Sequence, residues 1–304
     1  MARRATAVSL ACLFTATIVS PIRMDSPAFA ASGCVAPNSA HRHRDDPRGP
    51  EPGAPGPSDV ARVLTDIDAR LGGAAPPATV TVPVWVHILT DGVTQVPDRY
   101  VRAQLQTLTA AYSGRLGGAA TGIGFRLDGT DVTQNAAWFT DPVANETQMK
   151  TALRRGGPET LNLYVVQLDY RVLGFSTYPY WYQSSPGSDG VVIDWRTMPG
   201  GPLTDYSLGY TGVHEIGHWL GLFHTFENGC VQPGDGVDDT APEAAPTQGC
   251  PQFKDTCERG GPDLVHNFMD YAHDRCMREF TRGQAVRMRQ IWSVYRDQGV
   301  RAAM

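Results

Sequence analysis

His214-Glu215-Ile216-Gly217-His218-Trp219-Leu220-Gly221-Leu222-Phe223-His224 is the stretch from which the rest of the chain can be read. His214 and His218 stand four residues apart, so a helix puts them on one face, about 6 Å apart along its axis. That separation suits two imidazoles sharing one Zn²⁺, which takes nitrogen ligands at roughly 2.0–2.1 Å. Glu215 lies between them, where a carboxylate can serve as general base toward a water held at the metal. A third ligand is needed. A continuous helix would carry His224 about 15 Å along the axis from His214, too far to share an ion. Gly221 lifts that restriction, because glycine adopts the left-handed conformation that ends a helix. A turn there brings His224 back to complete a three-histidine site with one open position. A bare H-E-x-x-H arises by chance in roughly one chain in a hundred of this length, and Gly221 and His224 at these offsets make chance rarer by about two orders of magnitude.

The landmarks continue downstream. HEIGHWLGLFHTF is followed in order by Gly229-Cys230, GDGVDDT (Gly234 to Thr240), Gly249-Cys250-Pro251 and Asp255-Thr256-Cys257. Then come Asn267-Phe268-Met269-Asp270-Tyr271, Asp274-Arg275-Cys276 and FTRGQAVRM (Phe280 to Met288). The extended histidine motif together with NFMDY resembles the metzincin metalloproteases. The whole series is similar to their pappalysin family, over about Thr79 to the C-terminus and most densely over Tyr210 to Met288. The resemblance implies an α/β fold. A twisted, mostly parallel sheet with helices would form an upper lobe (79–224), with an irregular, disulfide-braced lower lobe (225–304) and the zinc cleft between them. It also implies a zinc endopeptidase acting on proteins or peptides, with His214, His218 and His224 as zinc ligands and Glu215 as base. Met269 would form an apolar floor under the imidazoles, and Tyr271 would support the chemistry near the zinc.

Composition agrees with an enzyme domain rather than a nucleic-acid partner. The chain has 304 residues, 41% of them hydrophobic, enough for a sizeable core. A formal net charge of −5 gives no basis for binding nucleic acid. The N-terminus reads as an export signal over 1–30: Arg3 and Arg4, an apolar run from Ala5 to Ser20, then Ala28-Phe29-Ala30 as the small–x–small cleavage pattern. Beyond it no apolar run is long enough to span a membrane. Secretion to the extracellular space is the expectation.

Of the six cysteines, Cys12 leaves with the signal. Cys230, Cys250, Cys257 and Cys276 cluster after the histidine motif, and four cysteines allow three pairings that sequence alone does not choose among. The pappalysin resemblance implies Cys230–Cys257 and Cys250–Cys276, two bridges across a region with little regular structure. Cys34 is the odd one. It reads as a thiolate that fills the open zinc position of a zymogen, as a weak lipobox cysteine, or as a free or intermolecular thiol. Segment 31–78 is then a pro-segment and linker, and 79–304 the catalytic domain.

Along the chain, His41 to Pro57 is Pro- and Gly-rich and reads as a linker unable to order itself. Ser58 caps a short amphipathic helix whose Val60, Val63, Leu64, Ile67 and Leu71 share a face that is expected to dock on the catalytic domain. Gly72 to Pro77 is a second break, open to processing. Strands are expected at Thr79 to Thr90, Phe125 to Val132, Leu161 to Val166, Leu173 to Tyr178 and Gly190 to Trp195. Helices are expected from Pro97 to Tyr112 and after a Thr281/Gln284 capping box. His87 and His266 read as structural. The metzincin resemblance implies that the strand before the histidine helix is an edge that accepts a substrate as an added strand. The carboxylates of Asp235, Asp238 and Asp239 suit Ca²⁺ or an acidic surface turn; with the resemblance, Asp235 and Thr240 become the calcium ligands. An alternative function is a secreted binding or adhesion protein with structural zinc. Structural sites close all four positions with protein ligands, whereas three histidines and an intact Glu215 favour the enzyme.

Overall fold

The computed structural model describes residues 51–297 apart from 54 and 170. The signal segment 1–30 and Cys34 lie outside the described residues. In chain order the main elements are α1 (Pro57–Leu71), β1 (Val80–Thr90), α2 (Asp98–Tyr112), β2 (Ile123–Gln134), α3 (Ala136–Thr140), α4 (Glu146–Leu153), β3 (Leu161–Val166), β4 (Gly174–Ser176), β5 (Val191–Asp194), α5 (Tyr210–Trp219) and α6 (Arg282–Ile291). A single π-helical turn, Trp292–Arg296, extends α6.

The strands form one sheet in the order β2-β1-β3-β5-β4. Every pairing is parallel except that of β4, which runs antiparallel to β5 at the edge. β3 and β5 are buried at every residue, which is why they read as unbroken apolar runs rather than alternating ones. Pro83 is tolerated in the interior strand β1 because β3 joins β1 only from Val84 onward, leaving one side of Pro83 without a ladder to interrupt. β2 is the polar edge. Its register slips between Val84 and Trp85, and Gly129 sits opposite Trp85 because a Cβ there would lie 2.4 Å from the indole. The bulge and the Arg126–Asp128 ion pair make this edge a poor template for adding another strand.

Alternate side chains of the sheet feed two apolar layers. Val82, Val84, Val86, Leu163 and Ile193 pack with Val101 and Leu108 of α2 and Val213 and Ile216 of α5. Leu89, Tyr164, Val166 and Val192 pack on the other side with Phe139 of α3 and Met149 of α4. Neither α3 nor α4 is expected from the sequence, since each is too short to show a periodicity. Helix α5 is buried at all 10 of its residues, as a helix running between layers must be. From α2, Tyr112 donates its hydroxyl to the Val213 carbonyl (3.0 Å) and Gln104 its amide to the Gly209 carbonyl (2.9 Å), fixing the start of α5.

Beyond α5 the backbone is turn and loop up to α6, apart from one 3₁₀ turn, Asp274–Cys276. Two disulfides, Cys230–Cys257 and Cys250–Cys276, brace it with Cα separations of 5.6 and 5.7 Å. Thr281 and Gln284 form the capping box that opens α6. Helix α1 starts one residue before the expected cap. Gly56 occupies the cap and donates its N–H to Asp59 (2.7 Å), while Pro57 takes the first turn. The apolar face of α1 is docked: Val60, Val63 and Ile67 pack with Phe223, Ile291, Val294 and Tyr295.

The chain after α6 closes back on α5. Arg296, fully buried, pairs with buried Asp189 at 2.8 Å, donates to the Trp219 carbonyl at 3.0 Å and lies 3.8 Å over the Trp219 ring. Asp189 also accepts from the Trp219 indole at 3.2 Å. Removing one partner strands a buried charge. Arg296→Met is therefore expected to cost about 3–5 kcal/mol in urea unfolding, and the double variant with Asp189→Asn much less than the sum of the two single changes. Additive losses would show that the two residues do not act as a pair.

Candidate metal centre

Helix α5 begins at Gly209, whose φ of +84° turns the chain into the first turn, and it ends after Trp219. Gly221 has a φ of +89°. Its N–H donates to the His218 carbonyl (2.8 Å) and that of Leu222 to the Gly217 carbonyl (2.9 Å), so the carbonyls left over at the helix end are satisfied by the reversal itself. A Cβ at Gly221 would lie 2.7 Å from Ile291 of α6, so glycine is needed there for space as well as for φ.

The reversal returns His224 to the helix. His218 Nε2 is 3.0 Å from His214 Nε2 and 3.1 Å from His224 Nε2. The opposite ring nitrogens all face acceptors. His214 Nδ1 donates to the Phe268 carbonyl (2.6 Å), His218 Nδ1 to the Leu222 carbonyl (2.8 Å), and His224 Nδ1 faces Glu227 at 3.4 Å. A proton held at Nδ1 leaves the Nε2 lone pair directed at the shared centre. Tyr178 adds its hydroxyl at 2.9 Å from His218 Nδ1.

Glu215 is fully buried on the same helix. Gly174, the first residue of edge strand β4, makes room for it: a Cβ there would lie 2.7 Å from Glu215 Cγ and 2.9 Å from Oε1. Beneath the helix, Met269 stands against Gly217, where a Cβ would come within 2.4 Å of Sδ. The turn carrying Met269 is pinned by Asn267, whose Oδ1 accepts from the Met269 N–H (2.9 Å) and whose amide exchanges two hydrogen bonds with Gln284 at 2.8 and 2.9 Å. Tyr271 brings its hydroxyl to 3.2 Å from His224 Nε2.

The fourth member of the centre comes from a segment that the sequence presents as unstructured linker. Glu51 places Oε1 3.1 Å from His214 Nε2 and 3.0 Å from the Tyr271 hydroxyl. Its Oε2 lies 3.2 Å from His218 Nε2 and 3.3 Å from His224 Nε2. The side chain is only 7% exposed. The expectation of an unordered 41–57 therefore fails over its described part, because Glu51 and Pro55 are held against the domain. Among the described residues, Glu51, His214, His218 and His224 are the one set of three or more His, Cys, Asp or Glu ligand atoms close enough to share an ion, all within 4.8 Å of one another.

The residues read as structural are occupied elsewhere. Buried His87 bonds Asp131 (2.9 Å) and Asn162 (3.0 Å), and His266 Nδ1 donates to the Cys276 carbonyl (2.7 Å). In the acidic loop, Asp239 turns away to accept from Thr281 (2.7 Å) and the Gly283 N–H (2.9 Å) at the start of α6. Asp235 is buried beside Thr240, which donates to its Oδ1 at 2.6 Å; its Oδ2 is buried without a hydrogen bond. Burial pushes the Asp235 carboxyl up to about 7. Sequence reasoning overlooked Glu51, Tyr178, Gly174 and Gly217. The glycine inside the motif was the available signal for Gly217 alone.

Comparison with known proteins agrees with this centre. The M43 peptidase family profile described as "Pregnancy-associated plasma protein-A" matches residues 171–293. An extracellular metalloprotease of Verticillium alfalfae is 38% identical over 285 residues, spanning 88% of this chain and 98% of the relative. Mature mirolysin of Tannerella forsythia, solved with a cleaved peptide, superposes with a TM-score of 0.63 at 27% identity, over 73% of this chain and 97% of its own. A promirolysin mutant from the same organism gives 0.66 at 26% identity, over 80% and 90%. With a mostly parallel sheet, a converged histidine cluster and relatives of this kind, the chain belongs to the M43, or pappalysin, family of metzincin metalloendopeptidases.

Proposed function

We propose that this chain is a secreted zinc endopeptidase made as a latent precursor, with 1–30 as signal, 31–78 as pro-segment and 79–304 as catalytic domain. The observation that carries the reading is the convergence of three Nε2 atoms at 3.0–3.1 Å from rings whose Nδ1 atoms are committed to acceptors behind them. Such a donor set fits Zn²⁺, with His214, His218 and His224 as its ligands. When bound, zinc acidifies water and polarises the scissile carbonyl. Glu215 takes the proton of the attacking water and passes it to the leaving amine. Its burial beside β4 supports this role, because a base shielded from bulk water keeps the proton for the leaving group. Tyr271, hydroxyl toward the centre, donates to the oxygen on which charge develops. Met269 fills the space under α5 and keeps the two helical imidazoles from tilting. β4 offers its free side to an extended peptide, which main-chain hydrogen bonds would align past Glu215. The extracellular relatives support export, and the promirolysin likeness supports latency.

Calcium is the second ion in this reading. The Asp235 oxygen that is buried without a hydrogen bond, with the Thr240 oxygen beside it, supports a hard cation in the 234–240 loop.

Two outcomes are expected. Glu215→Gln keeps zinc, measured by elemental analysis, and keeps the fold, but cleaves denatured protein at least about 100-fold more slowly than the processed wild type. Cleavage within a few-fold of wild type would remove Glu215 from the chemistry. Millimolar Ca²⁺ raises the melting temperature of the wild type and leaves Asp235→Asn unchanged; a wild type indifferent to Ca²⁺ ends the calcium reading.

A further inference from the structure

We propose that the cavity beside β4 is a substrate pocket for a basic side chain, arginine or lysine, standing two or three residues before the bond that is cut, and that Glu146 is the residue that selects it. The pocket belongs to the zinc-endopeptidase reading of the chain and rests on it.

Two stretches of chain measure the way from the metal centre to this cavity. The first is β4. Gly174 stands against Glu215, and a strand advances about 3.3 Å per residue, so Ser176 and Thr177 lie about 7–10 Å farther along the edge; both line the cavity. The second begins at Glu51. Its carboxylate is at the centre, and the next two residues, Pro52 and Gly53, line the same cavity. Gly53 is so placed that a Cβ would lie 3.5 Å from the Trp181 indole. A chain leaving the centre along β4 therefore meets the cavity within two or three residues. Antiparallel pairing is the more stable arrangement and is the one β4 already makes with β5. A peptide paired that way runs against β4, so its residues beside Ser176 and Thr177 precede the scissile bond.

The cavity holds about 390 Å³, and the charged residues that line it, Glu146 and Asp189, are both acidic. Asp189 is engaged elsewhere: it is 1% exposed and accepts from Arg296 (2.8 Å), the Trp219 indole (3.2 Å) and the Thr177 hydroxyl (3.1 Å). Glu146, the first residue of α4, keeps 31% of its side chain exposed. Lys150 Nζ donates to its Oε1 at 2.6 Å and to the Gly190 carbonyl at 3.0 Å. Lys150 is fully buried, so the ammonium lies behind the carboxylate as seen from the cavity, and a guest cation meets the carboxylate first. Arg154 comes near only through the Tyr182 hydroxyl (3.0 Å) and is held there by the Gly156 and Gly157 carbonyls. Trp181 supplies a flat apolar wall for a long methylene stem and a ring face for its charged end. A guanidinium or ammonium then completes the Glu146 carboxylate with a charge-assisted hydrogen bond. An acidic guest is repelled by the same group, and an apolar one covers it without giving it a partner.

The test uses the zinc-loaded enzyme, produced as the full chain and then processed within 72–77. Cuts in a denatured protein mixture are located by mass spectrometry. Matched fluorogenic peptides then compare arginine with citrulline, its uncharged isostere, at the second and third positions before the bond. The wild type is expected to cut where arginine or lysine stands at one of these positions and to favour arginine over citrulline there by about 10-fold in kcat/KM. Glu146→Gln is expected to bring that ratio to about 2 or less. The change also leaves the buried Lys150 without its carboxylate, so a double variant with Lys150→Met, which removes both charges, is run beside it and is expected to give the same low ratio. A wild type indifferent to charge at these positions, or one whose basic preference lies after the bond, overturns the proposal. So does an unchanged ratio in both variants. A wild type that cuts nothing, with zinc bound and the fold intact, brings down the endopeptidase reading itself.

Discussion

Each imidazole of the centre is gripped from behind, and the rest of the molecule is arranged to do the gripping. Lone pairs 3.0–3.1 Å apart repel, so they stay together only if each ring is fixed by the group at its Nδ1. Those groups come from three parts of the chain. The Phe268 carbonyl belongs to the turn that carries Met269, the Leu222 carbonyl to the reversal at Gly221, and the Glu227 carboxylate to the loop after it. The sheet and α2 position the helix, the lower loops position the acceptors, and the disulfides hold the loops where regular structure is scarce.

This division explains what could be read from the chain beforehand. β1, β3 and β5 are legible because interior parallel strands need apolar residues on both faces, and the runs VTVPVWVHILT, LNLYVV and VVID have them. The histidine spacing is legible because helical periodicity and one glycine decide it. α3 and α4 are not, since five and eight residues give too few turns for a pattern. Glu51 is the clearest loss. Nothing within a Pro- and Gly-rich stretch marks one carboxylate among several, and its partners lie 163 and 220 residues away in sequence. Tyr178 was lost differently. An aromatic run fits core and cleft equally well, and this ring does both, packing with α1's receptors while its hydroxyl reaches His218.

The two edges of the sheet show opposite treatments of the same hazard. β2 carries a bulge and paired charges that discourage a further strand. β4 is three residues long, wholly buried in the described chain and begins with the glycine that faces Glu215. In the proposed role of β4 as the substrate-pairing edge, charge there would spoil the cleft, and brevity is the remaining protection.

Arg296 and Ile291 set when such a site can exist at all. The turn that brings His224 home is packed on Ile291, and the end of the histidine helix is held by Arg296 through the Trp219 carbonyl and ring. A chain made N-terminus first presents His214, His218 and His224 well before it delivers either residue. Until the last helix arrives, the reversal lacks its backing and the histidines have no reason to converge. The centre can therefore form only once the C-terminal helix has been made, by the order in which the chain's own residues appear.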